Sequence, residues 1–216
     1  MADLTDKERW FATPVIDVFC RLGGNGPITV TQLMPLVKWT HDGESFLDVG
    51  AGSGTTIDAI DAIKRSVKYK GVDFIPSTVE WLKNTYQDRE FEVQDARHLK
   101  EEDRSWDTVW SRHVIDHLDG FEQPIDEHCR VANKRVICIL WYTLTEAEDH
   151  AIKLIFDHGK TYEDEYLNQY SRRKVEAYLE KKKTEGWKLS EYLREVSWQG
   201  DKQGKGGDTI ICLERN

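Results

Sequence analysis

The sequence predicts a single α/β domain, a parallel sheet covered by helices on both faces. Short apolar runs alternate with helical patterns from about Phe46 to Leu140, which is how strands and crossover helices read in a parallel sheet. The length of 216 residues suits one such domain better than two, and it buries a substantial core without disulfides or a structural metal.

The elements follow in order. Residues 1 to 40 read as helical, broken by the loop Gly23-Gly24-Asn25-Gly26-Pro27. Phe46 to Val49 is a buried strand. From Thr55 to Lys68, Ile57, Ala59, Ile60 and Ile63 share one helical face, and Asp58, Asp61, Lys64 and Arg65 the other. Tyr69 to Phe74 is a second strand. Pro76 suits the first turn of the next helix, which carries Val79, Leu82 and Tyr86. Phe91 to Val93, Trp106 to Trp110 and Arg135 to Trp141 supply three more strands. Thr145 to Lys183 reads as one long helical stretch, charged and rich in tyrosine. Strands at about Leu189 to Trp198 and Thr209 to Glu214 close the chain, joined by a Gly- and Lys-rich hairpin loop.

Charge narrows the function. Lys and Arg number 30 against 39 Asp and Glu, a formal net charge of −9. Phosphate backbones repel such a surface, so nonspecific nucleic-acid binding is disfavoured and a small-molecule partner fits better. The opening MADLTDKERW has no signal-peptide core, and no apolar run approaches the ~20 residues that cross a bilayer. No membrane partner is expected. Cys20, Cys129, Cys138 and Cys212 are scattered without a Cys-x-x-Cys pair, as expected of reduced thiols in a cytoplasmic protein.

The most informative segment runs from Phe46 to Thr56. A buried strand ends in Gly50-x-Gly52-x-Gly54, and a helix begins at once. Glycines let the backbone turn sharply and let a ligand approach the main chain, while a helix N-terminus presents free N–H groups to an anion. The dinucleotide template Gly-x-Gly-x-x-Gly fails, because its last glycine would fall on Thr55. Asp73 ends the second strand about 20 residues on, where a carboxylate can accept from ribose hydroxyls.

Asp48 before this loop, Asp73, the third-strand end Val93-Gln94-Asp95-Ala96, and the segment from Trp106 through Arg112, His113, Asp116 and His117 to Leu118 occur in sequence. Tyr170-Ser171-Arg172 and Gly186-Trp187 follow. In this order they resemble class I S-adenosylmethionine-dependent methyltransferases of the small-molecule type, over about residues 42 to 216. The resemblance implies a Rossmann-like, mostly parallel seven-stranded sheet with an antiparallel last strand. It implies S-adenosyl-L-methionine as cofactor and S-adenosyl-L-homocysteine as product. Asp48, Gly50, Ala51, Gly52, Gly54, Asp73, Phe74, Asp95, Ala96 and Arg112 would bind the cofactor, with Asp95 meeting the adenine amino group. It divides the chain into an N-terminal helical cap (1–41), a cofactor-binding half (42–142), a helical lid or insert (143–185) and a closing strand hairpin (186–216).

Other residues have two readings each. Asp48 either caps the turn or helps hold the cofactor's amino group. His113 suits a general base, with an ordinary pKa near ~6.5, and equally a neutral wall residue. His117 reads as a buried, hydrogen-bonded histidine. His113 and His117 stand four apart, as helical zinc ligands do, but no third ligand is evident and no metal is expected. Arg172-Arg173-Lys174 and Lys181-Lys182-Lys183 form a solvated helix face or recognise an anionic substrate group. Tyr162, Tyr166 and Tyr170 recur at four-residue spacing, which on a helix gives one tyrosine face suited to a lid.

The expected function is methyl transfer to an oxygen or nitrogen of a small-molecule acceptor. Two alternatives stand beside it: a protein or RNA acceptor, and a non-catalytic cofactor-binding subunit. An Asn-Pro-Pro-Tyr motif after the fourth strand would favour a base or amide nitrogen, and the chain has Ser111-Arg112-His113-Val114 there.

Overall fold

The computed structural model describes residues 30–141, 144–155, 161–197 and 207–216. The Gly23–Pro27 loop, Cys20 and the loop between the closing strands lie outside the described residues.

Helix α1 (Val30–Trp39) leads into strand β1 (Ser45–Val49). Helix α2 (Thr55–Ala62), β2 (Lys68–Asp73), α3 (Pro76–Thr85), β3 (Glu90–Val93) and β4 (Trp106–Arg112) follow. After a short 3-10 turn at Ile115–His117 come α4 (Glu122–Val131) and β5 (Ala132–Leu140). Strands β6 (His150–Ile155) and β7 (Thr161–Gln169) precede α5 (Arg172–Thr184). Strands β8 (Trp187–Ser197) and β9 (Gly207–Arg215) complete the chain.

The main sheet has seven strands in the order β3-β2-β1-β4-β5-β9-β8. The first five are mutually parallel, and β9 runs antiparallel to both β5 and β8. The expected antiparallel last strand is therefore present. The chain fills the sheet outward from β1 in one direction, then returns through β4 in the other. The β1/β4 junction is thus the switch point, where a crevice opens at the carboxyl ends of the strands.

Strand residues alternate between two cores. Phe46, Trp110, Ile137 and Ile210 pack with Leu36, Ile57, Ile60, Val79 and Leu82 of α1 to α3. Leu47, Val109, Val136 and Ile211 pack with Ile125, Cys129, Val175 and Leu179 of α4 and α5. A period of two along each strand therefore feeds both helical layers. The sequence pattern had not marked α4, although it provides the crossover from β4 to β5 on the second face.

One expectation is overturned. Thr145 to Lys183 is not one long helix: β6 and β7 pair antiparallel as a separate two-stranded sheet, and only Arg172–Thr184 is helical. A four-residue spacing of tyrosines is a multiple of both the strand period and roughly one helical turn, so it does not separate the two. Ile152, Tyr162 and Tyr166 favour strands. The shared helical face of Tyr162, Tyr166 and Tyr170 accordingly does not exist. Tyr170 lies beyond β7, is buried, and donates its hydroxyl hydrogen to the carbonyls of Ile115 at 2.8 Å and Leu118 at 3.1 Å.

Candidate active site

The site is assembled at the carboxyl rim, beginning with the loop between β1 and α2. Gly50, Gly52 and Gly54 adopt φ of 78°, 52° and 77°. Gly50 must be glycine, because a Cβ there would meet Val114 Cγ2 at 2.2 Å. Val114, one residue past His113, thus lies directly against the glycine loop. At Gly52 the space is open: the nearest atom to an added Cβ is the Gly50 carbonyl oxygen at 3.8 Å.

Asp73 fixes this loop from the end of β2. Its carboxylate accepts from the Gly52 N–H at 2.9 Å and the Ile75 N–H at 3.0 Å. Burial raises its pKa, against the pull of these backbone donors and that of Phe74. Two oxygens offer about four acceptor positions, so the carboxylate keeps capacity for ligand hydroxyls. Phe74, just past β2, and Val93, at the end of β3, are 46% and 39% exposed, which leaves their apolar faces open to a ligand. Ala51 and Ala96 are buried.

Asp48 is not a turn cap. It is buried within β1, and its carboxylate accepts from the Tyr69 hydroxyl at 2.7 Å and from the Thr56 side chain. It joins β1 to β2 and α2 beneath the loop, and burial pushes its pKa up to about 7. Asp95 takes both a backbone and a bidentate side-chain interaction from Arg97, with Nη2 at 2.6 Å, and Arg97 holds its pKa low. Any further donor to Asp95 shares an oxygen with Arg97.

Across the switch point, Arg112 ends β4. Burial lowers its pKa, and the charges of Asp208 and Asp48 oppose that. His113 follows in a left-handed conformation, φ 56°. Its backbone N–H donates to Ile139 at 2.8 Å, its ring stacks on Trp141 at 4.8 Å, and its Nε2 lies 2.9 Å from Asp208 Oδ1. Burial lowers the His113 pKa, the Asp208 hydrogen bond opposes this, and Arg112 adds to it. His117 is half-buried in the 3-10 turn. Among the described residues, His128 is the fully enclosed histidine, and burial depresses its pKa to about 4. Among the described residues, no group of three or more His, Cys, Asp or Glu side chains could hold a metal ion.

Residues 47–140, which carry the loop, Asp73, Asp95 and His113, match the methyltransferase domain family. Over that segment, and in its fold, the chain is similar to S-adenosylmethionine-dependent methyltransferases. Solved structures with the same fold include an S-adenosylmethionine-dependent methyltransferase from Aquifex aeolicus, 17% identical, with TM-score 0.60 and coverage of 93% of this chain and 98% of that one. Phosphoethanolamine N-methyltransferase 2 of Haemonchus contortus, solved with S-adenosyl-L-methionine, is 14% identical, with TM-score 0.68, covering 99% of this chain and 60% of that one. A chain solved in complex with the Trm112 methyltransferase activator of Haloferax volcanii is 14% identical, with TM-score 0.68 and 99% coverage of each. No curated protein matches.

The rim fits the cofactor of those enzymes: an open backbone cradle at Gly52, a carboxylate with spare acceptors at Asp73, and the exposed apolar faces of Phe74 and Val93. The basic runs do not form an anion site. Arg172 pairs with Glu146, Arg173 with Glu148 at 2.7 Å and Lys174 with Asp149 at 2.8 Å. Lys182 is buried between Asp126 and Glu185, and Lys183 pairs with Glu180. Cys129, Cys138 and Cys212 are free and buried, and burial raises all three thiols, Cys138 to about 12. That is the opposite of an activated thiolate.

The sequence did not single out Asp208 or Trp141, both of which touch His113. Asp208 is the second residue of β9, and only the antiparallel return of that strand brings it to the rim. Among the described residues, no helix is long and apolar enough to cross a membrane.

Proposed function

We propose that this methyltransferase acts on a small-molecule acceptor, transferring a methyl group in line to an oxygen or nitrogen nucleophile. The observation that carries the reading is the rim itself. The glycine loop anchored by Asp73 and the His113 turn face one another across the switch point, with Val114 packed on Gly50 between them. The charge of −9 supports a small acceptor over a nucleic acid.

Bound S-adenosylmethionine supplies a methyl carbon activated by a sulfonium leaving group, so no residue has to activate the donor. The Gly50–Gly54 backbone and the N-terminus of α2 would hold the amino-acid portion, with Asp48 bracing the loop from below. Asp73 would accept from the ribose hydroxyls, and Phe74, Val93, Asp95 and Ala96 would hold the adenine. Arg112 helps define the floor of the cleft. Orientation alone accounts for as much as ~7–11 kcal/mol of barrier lowering in well-aligned reactions. His113 removes the acceptor's proton where that proton has a high pKa. The β6–β7 pair, rather than a helix, would cover the acceptor. Asn168 ties it to the Leu118 carbonyl at 2.7 Å, immediately past the His113 turn.

The test follows a labelled methyl group from the donor into fractionated extract. Label in the small-molecule fraction supports the reading. Label confined to protein or RNA refutes the small acceptor, and no transfer at all with cofactor bound would favour a scaffold. In the same assay, His113→Ala should lower turnover by ~10²–10⁴ while leaving cofactor affinity nearly unchanged. Full turnover would make His113 a wall residue.

A further inference from the structure

The antiparallel return of β9 has a chemical effect at the rim. Strands β1 to β5 all end there, whereas β9 starts there: Thr209 pairs with Leu140, the last residue of β5. The residue before it, Asp208, is fully buried, and its Oδ1 lies 2.9 Å from His113 Nε2. We propose that Asp208 is a positioning residue for methyl transfer, holding His113 in the tautomer whose Nδ1 is free to take the acceptor's proton. This rests on the reading of His113 as the base.

A carboxylate oxygen accepts, so the ring nitrogen facing it carries the hydrogen. That places the proton of neutral His113 on Nε2 and the lone pair on Nδ1. A base whose second nitrogen is fixed by a carboxylate is oriented as well as activated, because the same carboxylate stabilises the imidazolium that forms. The balance is simple. The acceptor's O–H or N–H proton passes to Nδ1, the pair left on that atom forms the bond to the methyl carbon, and the pair of the broken C–S bond stays on sulfur.

Three further observations point the same way. His113 holds φ 56°, a conformation uncommon for a residue with a side chain and often kept where function sets geometry. Its ring is clamped by stacking on Trp141, just past β5. Among the described residues, the charges acting on His113 are Arg112 at the end of β4 and Asp208 on β9, with Asp116 in the following turn interacting with Asp208 and Asp48 on β1 with Arg112. Arg112 disfavours a charged His113, and Asp208 is the one group in contact with the ring that favours it.

Nitrogen-15 spectra of the cofactor-free protein test this without turnover. Neutral His113 should be protonated at Nε2, and an Nδ1–H tautomer in the wild type overturns the proposal without any variant having to fold. Asp208→Asn should then lower the His113 pKa, which moves the acid limb of the pH–rate profile to lower pH. It should also cut kcat by part or all of the ~10²–10⁴ that a positioned base contributes. KM for the donor and calorimetric affinity for S-adenosylhomocysteine should stay at wild-type values. If the limb and kcat are unchanged in Asp208→Asn, the proposal fails. Absence of S-adenosylhomocysteine binding to the wild type would sink the methyl-transfer reading separately, and full activity of His113→Ala would sink the base reading, whatever tautomer the spectra show.

Discussion

Gly52→Ala separates cofactor binding from folding. Gly52 holds φ 52°, where an alanine pays the steric strain of a left-handed backbone, ~1–2 kcal/mol. No clash adds to this, because an added Cβ has its nearest atom, the Gly50 carbonyl oxygen, at 3.8 Å. For a chain of this length each kcal/mol moves Tm by ~2–4 °C, so thermal unfolding should drop by roughly 2–8 °C. The new methyl stands in the open cradle over which the cofactor must pass. Calorimetric affinity for S-adenosylhomocysteine should therefore fall at least tenfold, about 1.4 kcal/mol. Gly50→Ala is the contrasting control: its Cβ would lie 2.2 Å from Val114 Cγ2, so folding itself should suffer. Should Gly52→Ala lose the expected stability yet bind S-adenosylhomocysteine within about twofold of wild type, the cradle is not the cofactor site.

Asp73→Ala should be costlier to the fold, since the Gly52 and Ile75 N–H groups lose their acceptor, at ~1–3 kcal/mol each where they stay buried. Denaturant melts should show that loss, and binding should fall with it. Asp116 gives a pH dependence. Its folded pKa is pushed up to about 7 by burial, above an unfolded value of ~3.9. Between these values the folded state holds a proton that the unfolded state has lost, so stability falls as pH rises through the window. Asp116→Asn should flatten that fall between pH 5 and pH 8 in urea unfolding, since the variant's amide oxygen can still accept from the Trp141 N–H now bonded at 3.1 Å. Asp48, also raised to about 7, keeps part of the slope. An unchanged slope would refute the assignment to Asp116. Hydrogen exchange should find the β6–β7 backbone faster than that of β4 and β5 without ligand, and protected once S-adenosylhomocysteine and acceptor fill the site. Equal protection in both states would mark the pair as a fixed wall.

The cofactor half was legible because its signals are local. A buried parallel strand is a run of Leu, Val and Ile, and the turn after β1 holds its glycines at positive φ, with no room for a side chain at Gly50 against Val114. Asp73 was legible by its place at a strand end, though its grip on the Gly52 N–H was not. The rest depended on tertiary pairing. Tyr162 and Tyr166 fit a helix or a strand by spacing alone, and the pairing of β6 with β7 decides between them. Asp208 lies 95 positions from His113, and nothing around it in the sequence marks it, because strand order and direction create the contact. Asp48 was legible as a residue but not as a brace, since its partners Tyr69 and Thr56 come from other elements. The basic runs do form a largely exposed helix face, but the pairing of Arg172, Lys174 and Lys182 with Glu146, Asp149 and Asp126 was not legible, because those partners come from other elements.

A crystal structure with S-adenosylhomocysteine bound tests the account most directly. The account predicts the ribose hydroxyls on Asp73, the adenine against Phe74 and Val93, and the sulfur on the rim between Gly52 and His113, with His113 Nδ1 turned toward the acceptor side. A cofactor seated away from the Gly50–Gly54 loop, or a sulfur screened from His113 by other side chains, would contradict it.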